Sequence, residues 1–309
     1  MRQFLCTVTS NVELLPSVRL MWLEAPEIAS FAQPGQFITV RCKDFILRRP
    51  FSIHQVIAAN EANGSSKNSA NFLSEKQSQI ALLFKIVGKG SLWLSQRQQD
   101  EKIDVLGPLG LGFTMPLEAP GNSPIQSKNL LLIAGGMGIA PLAFLAQRAS
   151  TKHRVTLIHG AATAMQLYPF PKGKAGEQDN ASPLFQRMKF VPVTEDGSRG
   201  EKGLATDILP EFLDWADQIY ACGPIDMYKT MAEMSLSLTI NSMSSKKEEE
   251  KPSKESKLKK CQVSLEVGLG CGIGACYGCS INNKVGLKKV CQDGPVFDLD
   301  DILWDEVKI

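Results

Sequence analysis

The chain of 309 residues lacks a charge excess: 34 Lys and Arg stand against 32 Asp and Glu, a formal net charge of +2 at pH 7. No field of one sign is available to grip nucleic acid or an anionic bilayer, so neither is expected as a partner. Long apolar runs are missing too. The longest charge-free apolar stretch, LLLIAGGMGIAPLAFLA at residues 130–146, is short for a spanning helix and is broken by three glycines and a proline. The N-terminal MRQFLCTVTSNVELLP has no leader-like apolar core or small-residue cleavage site, which predicts a cytoplasmic chain outside the membrane. Histidine is scarce, with three residues and none at ligand spacing from another. Eight cysteines are few for a disulfide scaffold of this length, and a reducing compartment would leave them free for metal or redox chemistry.

What is present is a 43% apolar fraction, enough for two or three domain cores. Over residues 1–115, the β-rich runs TVTSNVELL, QFITVRC and IALLFKIVG alternate with PGQ, GKG and GPLG, which predicts a small antiparallel barrel or sandwich. Over residues 129–240 the pattern changes. LLLIAGG, VTLIHG, KFVPVT and QIYACG read as buried strands, with PLAFLAQRAS as a helix, and predict a parallel α/β sheet. Within residues 241–260, the segment KKEEEKPSKESKLKK holds seven lysines and four glutamates and reads as a solvated tether. Residues 261–309 form a short Gly- and Cys-rich module that needs a staple to fold. Two further polar stretches, near residues 70 and 176, read as surface insertions without chemistry.

Cys271, Cys276, Cys279 and Cys291 are spaced C-x4-C-x2-C-x11-C. The first three match the plant-type 2Fe-2S ligand run, with the fourth thiolate arriving from further along. The surrounding GLGCGIGACYGC would let backbone N–H groups approach the sulfurs. A four-thiolate zinc site or disulfides remain alternatives, although zinc sites usually pair two short C-x2-4-C knuckles and this run has one. Cys6, Cys42 and Cys261 read as packed thiols.

LLLIAGGMGIAP runs from a strand through Gly135, Gly136 and Gly138 towards Pro141, the kind of turn that offers N–H groups to a phosphate. A Gly-rich turn without a ligand is the alternative, since the spacing is not G-x-G-x-x-G. TEDGS places Glu195 or Asp196 after another strand, as a ribose contact or as an ordinary polar loop. ACGP ends a fourth strand, where Cys222 is either a small buried residue or a thiol beside a nicotinamide. In the β half, LRRPFSIH sets two arginines beside Pro50 and Ser52, as phosphate ligands or as a solvated basic pair. FKIVGKGS adds Lys89 and Ser91 on a glycine turn as possible phosphate contacts.

The order RRPFS, VGKGS, GPLGLGF, GGMGIAP, TEDGS, ACGP and then the four cysteines resembles the ferredoxin-reductase-like flavoproteins over nearly the whole chain. Among them it is most similar to the electron-transfer subunits of type B dihydroorotate dehydrogenases. The resemblance implies a β-barrel binding FAD, an α/β domain binding NAD and a C-terminal module holding a 2Fe-2S cluster. It places Arg49, Pro50, Phe51, Ser52, Leu83, Phe84, Lys85, Gly90 and Ser91 at FAD. Gly136, Gly138, Asp196 and Cys222 would face the nicotinamide nucleotide, Cys222 in the catalytic role. The four spaced cysteines would be the cluster ligands. Lys85 stands where the family often has arginine, keeping the charge without the fork. The implied activity carries electrons from a catalytic, FMN-containing dihydroorotate dehydrogenase subunit through the cluster and FAD to NAD, in a heterotetramer serving pyrimidine biosynthesis. A flavin suits the middle position because it exchanges electrons in pairs with nicotinamide and singly with a cluster. NAD is expected over NADP because HGAATAMQLY carries no Arg or Lys for a 2′-phosphate. Other readings are an NAD(P)H-linked subunit of a sulfite reductase, hydrogenase or glutamate-synthase-like complex, and a redox sensor or zinc-stapled module without turnover.

Overall fold

A computed structural model describes residues 2–43, 45–57, 78–116, 126–170, 188–244 and 260–307. Six strands, β1 (Arg2–Leu15), β2 (Val18–Glu24), β3 (Phe37–Val40), β4 (Arg49–Ile57), β5 (Gln79–Lys85) and β6 (Lys102–Leu109), close a barrel in the order β1-β2-β5-β4-β3-β6. Every neighbouring pair is antiparallel. Period-two patterning drives the closure, and in β6 buried and accessible side chains alternate along the strand. A short helix, α1 (Pro26–Phe31), adds Ile28 and Ala29 to the barrel core, and α2 (Lys89–Ser95) adds Leu94.

The second sheet starts with β7 (Asn129–Gly135), β8 (Arg154–Ala161), β9 (Met188–Thr194), the short β10 (Glu201–Lys202) and β11 (Gln218–Cys222), all parallel. Strands β7 and β8 are buried almost end to end, as parallel strands covered on both faces must be. On one face, Leu130, Leu132 and Ala134 pack with α3 (Ile139–Ala149); on the other, Leu131 and Ile133 pack with Tyr228 and Met231 of α4 (Ile225–Ser244).

Helix α3 is apolar nearly all round because it is covered nearly all round, with every residue except Arg148 buried. Phe144 enters the barrel core while Leu142 and Leu145 join the sheet core. Two buried polar side chains fix this seam. Gln147 accepts from the Val56 N–H at 3.2 Å and donates to the Val56 carbonyl at 2.6 Å. His54 donates through Nδ1 to the Ala140 carbonyl (2.9 Å), and its Nε2 accepts from the Tyr168 hydroxyl (3.1 Å).

The C-terminal module does not stand apart on a linker. Helix α4 reaches Ser244, four residues into the stretch expected as a tether, and residues 245–259 lie outside the described residues. Strand β12 (Cys261–Ser264) then pairs in parallel with β11, and β15 (Val296–Asp298) pairs antiparallel with β12, giving the sheet order β10-β9-β8-β7-β11-β12-β15. Between them, β13 (Ser280–Asn283) and β14 (Gly286–Lys289) form a two-stranded ribbon, followed by the one-turn α5 (Val290–Asp293). Trp304 stacks on Tyr228 of α4 at 5.2 Å, anchoring the chain end to the sheet face. The two polar insertions expected near residues 70 and 176 lie outside the described residues. No helix among the described residues is long and apolar enough to cross a membrane.

The buried histidines make the fold acid-sensitive. His159 donates through Nε2 to the Gly136 carbonyl (3.0 Å) and accepts the Tyr168 N–H at Nδ1 (3.3 Å), so both His54 and His159 are satisfied only when neutral. Burial pushes each down from 6.5 to about 4. Their folded pKa lies below the unfolded value, so the stability they allow is complete above pH 6.5 and drains away as pH falls towards 4. The loss is on the order of 3 kcal/mol for each ring. Urea midpoints measured from pH 8 to pH 4.5 should stay level to about 6.5 and then drop steeply; a level profile throughout would refute this account.

Candidate functional site

Where the barrel meets the sheet, a cleft of about 350 Å³ opens, floored by Phe37, Leu83 and Phe84. Of the residues expected at FAD, Pro50, Phe51, Ser52, Leu83, Phe84 and Lys85 line it. The register of the barrel brings them together. Strand β4 runs beside β5, and the Phe51 and Phe84 rings meet at 5.3 Å. The two neighbouring arginines separate in role. Arg48 is spent on the barrel, its Nη2 2.8 Å from the Asp104 carboxylate, with Arg41 3.4 Å from the other oxygen. Among the described residues Arg49 forms no ion pair; its Nη1 donates to the Leu47 carbonyl (2.9 Å). It lies along α2 with its guanidinium 5.4 Å from the centre of the Phe45 ring, and a Cβ at Gly90 would sit 2.9 Å from its side chain. Gly90 thus makes room for Arg49. Ser91 is buried and turned inward: its hydroxyl accepts the N–H groups of Val87 (2.9 Å) and Gly88 (3.1 Å) and donates to the Gly88 carbonyl (3.0 Å). Its work is to shape the VGKGS turn.

A second cleft of about 480 Å³ lies at the carboxyl ends of the parallel strands, where open α/β sheets take their ligands. Gly135, Gly136, Gly160, Glu195, Pro224 and Asp226 are among its walls. Gly136 has φ +53 and nothing near its Cβ position, so it supplies both the turn and open backbone. Gly138 does something else: a Cβ there would lie 1.8 Å from the Cys222 carbonyl oxygen, so it is the contact that seats the turn on β11. Of the acidic pair, Glu195 faces the cleft. Asp196 is fully exposed and engaged locally, its Oδ1 accepting from the Ser198 hydroxyl (2.6 Å) and N–H (2.9 Å), which hold its carboxyl below the usual range.

The two clefts share one turn. Gly135 and Gly136 border the second, while Met137 and Ala140 border the first. Cys222 lies behind them, fully buried and not part of either wall. Its thiol donates to the Ser264 carbonyl (3.5 Å) and to Glu266 Oε1 (3.9 Å). Burial, reinforced by the Glu266 charge, raises the thiol well above its ordinary pKa, so it carries a proton. Glu266 opens into the first cleft while protein encloses it elsewhere; burial raises its carboxyl, partly offset by the Cys222 hydrogen bond.

From the end of β12, residues 264–267 and Leu269 continue along the wall of the first cleft, and the cysteine loop begins two residues later. Six backbone N–H groups point at its sulfurs. Those of Ile273 (3.4 Å), Ala275 (3.3 Å) and Cys276 (3.4 Å) reach Cys271, and that of Gly278 reaches Cys276 (3.4 Å). Those of Gly274 (3.1 Å) and Cys291 (3.4 Å) reach Cys291 and Cys279 respectively. The Cys276 side chain interacts with Cys271 and the Cys279 side chain with Cys291, which also feels the charge of Cys271. Burial opposes ionisation of Cys271, yet the N–H groups and the Cys276 side chain outweigh it and bring the thiol down to about 6. Cys291, deeper and beside Cys279, is pushed up to about 12 by burial. Among the described residues, no three His, Cys, Asp or Glu side chains converge as for a single metal ion.

Residues 266–303 match the iron-sulfur cluster binding domain of dihydroorotate dehydrogenase B, and residues 132–233 match an oxidoreductase NAD-binding domain. The chain is 33% identical over 300 residues to the dihydroorotate dehydrogenase B (NAD(+)) electron transfer subunit of Desulforamulus reducens, covering 94% of both chains. The chain belongs to this family of electron-transfer subunits. The subunit of Caldanaerobacter subterraneus subsp. tengcongensis is 30% identical over 276 residues, covering 88% of this chain and 87% of the relative. In fold, the chain is similar to an NADH-dependent reduced ferredoxin-NADP oxidoreductase, with a TM-score of 0.68, 23% identity and coverage of 98% and 91%.

The residues lining the first cleft that sequence reasoning missed are Phe37, Val87, Met137, Ala140, residues 264–267, Leu269, Val290 and Pro295. For residues 264–266 the run CQVSLE could have been the signal. It is a buried strand pattern, obscured by the Lys- and Glu-rich segment in front of it. The roles of the two glycines in the shared turn predict different costs for the same substitution. Gly138→Ala should destabilise the subunit by about 3 kcal/mol or more, because the methyl group has nowhere to go against rigid backbone. Gly136→Ala should cost about 1 kcal/mol, the left-handed penalty alone. Thermal unfolding of the two variants side by side measures the difference, and equal losses would show that Gly138 is not a packing contact.

Proposed function

We propose that this subunit passes electrons from dihydroorotate oxidation on an FMN-containing catalytic partner to NAD, with FAD in the first cleft, the nicotinamide nucleotide in the second and a 2Fe-2S cluster on the four cysteines. The observation that carries this reading is contiguity. Val290, next to Cys291, and Leu269, two residues from Cys271, both line the first cleft, and two residues of chain span no more than about 7 Å. On the opposite wall, the Gly135–Ala140 turn separates the first cleft from the second.

When bound, FAD exchanges electrons in pairs with nicotinamide and singly with an iron-sulfur centre, which suits the middle cleft. The chain's own residues divide the remaining tasks. Phe37, Leu83 and Phe84 give the first cleft an apolar floor that excludes water from a planar ring, and Lys85 at its rim offers positive charge to a pyrophosphate. Arg49, which forms no ion pair among the described residues, would offer its guanidinium to the same anion. Cys222 braces the Glu266 carboxyl from behind and keeps its proton; its part is to position that group at the wall of the first cleft. The four cysteines would hold the 2Fe-2S cluster, and the six N–H donors at their sulfurs would offset its negative charge. Glu195 and Asp226 border the second cleft, and no Lys or Arg is among its described lining. That charge pattern favours a ribose 2′-hydroxyl over a 2′-phosphate, hence NAD.

Anaerobic purification of the chain with its natural partner, followed by visible spectroscopy, tests the assignment. Dihydroorotate should bleach the flavin and iron-sulfur bands, and NAD should restore them. Bleaching by NADH but not by dihydroorotate would keep the electron-transfer role and overturn the pyrimidine substrate. In the same instrument, NADH should reduce the protein at least tenfold faster than NADPH at equal concentration; the reverse preference would refute the reading of Glu195 and Asp226.

A further inference from the structure

The ammonium of Lys289 is held over the cysteine loop. Its Nζ donates to the Gly274 carbonyl at 3.1 Å, and the N–H of the same Gly274 donates to Cys291 Sγ at 3.1 Å. One residue's backbone therefore separates the cation from a ligand sulfur. The Lys289 Nζ also sits 4.8 Å from the centre of the Tyr277 ring, and Tyr277 lies between Cys276 and Cys279 in a left-handed conformation (φ 58). Strand register aims the side chain there: Lys289 faces Ser280, the residue after Cys279, across the β13–β14 ribbon. Strand alternation directs its neighbour Lys288 to the other face.

No carboxylate forms an ion pair with Lys289 among the described residues. The Asp293 carboxylate takes the Lys289 backbone N–H at 2.7 Å, a contact that fixes the main chain where the strand enters α5. A half-buried ammonium with a carbonyl on one side and an aromatic face on another keeps its place better than a solvated lysine, and is screened less.

We propose that Lys289 is a positioning residue that sets the reduction potential of the cluster, its fixed charge favouring the reduced form. The proposal rests on the cysteines holding a 2Fe-2S cluster. Each electron accepted adds negative charge to an already anionic four-thiolate site, so a cation close by shifts the equilibrium towards reduction. The Gly274 hydrogen bond gives Lys289 a second hold, because it steadies the peptide whose N–H meets Cys291.

The test is a potentiometric titration of the full-length chain, purified anaerobically, with the reduced cluster read by electron paramagnetic resonance. Lys289→Met should make the cluster at least tenfold harder to reduce, equivalent to about 59 mV for one electron. Lys289→Arg should stay within threefold of the wild type. Lys289→Gln removes the charge while keeping an amide donor, and it serves if Lys289→Met fails to retain the cluster; it should fall with Lys289→Met. A wild-type potential in both neutral variants, or an arginine variant as low as they are, overturns the proposal. A wild-type chain with no 2Fe-2S resonance overturns the cluster reading itself and takes this proposal with it, whereas unchanged potentials with an intact resonance count against Lys289 alone.

Discussion

The arrangement of the sites depends on one set of main-chain hydrogen bonds, the parallel pairing of Cys261–Ser264 with β11. By sequence, the cysteine module is separated from the nucleotide domain by the most charged segment of the chain. In space it contributes two strands to the same sheet. From β12 the backbone runs straight along the wall of the first cleft and into the cysteine loop, so the separation of the two sites is set by a few residues of extended chain. Barrel contacts tighten the arrangement: a Cβ at Gly272 would lie 3.0 Å from Thr39, which leaves the loop resting on β3.

Helix α3 and the turn before it play the corresponding part between barrel and sheet. An apolar helix would be a poor surface element, but here the barrel covers one side and the sheet the other. The turn leading into it is held by carbonyl contacts to two neutral histidines, at Gly136 and Ala140, linked through Tyr168. Rigid placement of so thin a wall matters because it is the boundary shared by the two clefts. A shift there would change both at once.

Much of this was legible in the sequence. The buried runs 130–135 and 154–160 and the alternating segments before residue 110 produced the two sheets where they were expected, because their hydrophobic periods leave little choice. RRPFS and LLFK met in one cleft because the first opens β4 and the second closes the antiparallel β5 at the same rim. Burial direction was not legible: nothing in VGKGS says that Ser91 turns inward, nothing in TEDGS says that Glu195 and not Asp196 faces the cleft, and nothing in ACGP says that Cys222 lies behind the wall. Those outcomes are decided by tertiary packing. The partition of Arg48 and Arg49 is of the same kind, since it hangs on Asp104, more than fifty residues away.

The sheet order carries one last implication. Strand β11 is interior only because β12 and β15 lie beyond it, so the nucleotide domain does not own its edge. Without the C-terminal strands, β11 would present a bare row of N–H and C=O groups beside apolar side chains, the geometry by which sheets recruit foreign strands and aggregate. The module that carries the redox cysteines is thus also the cap that keeps the neighbouring sheet closed to other chains.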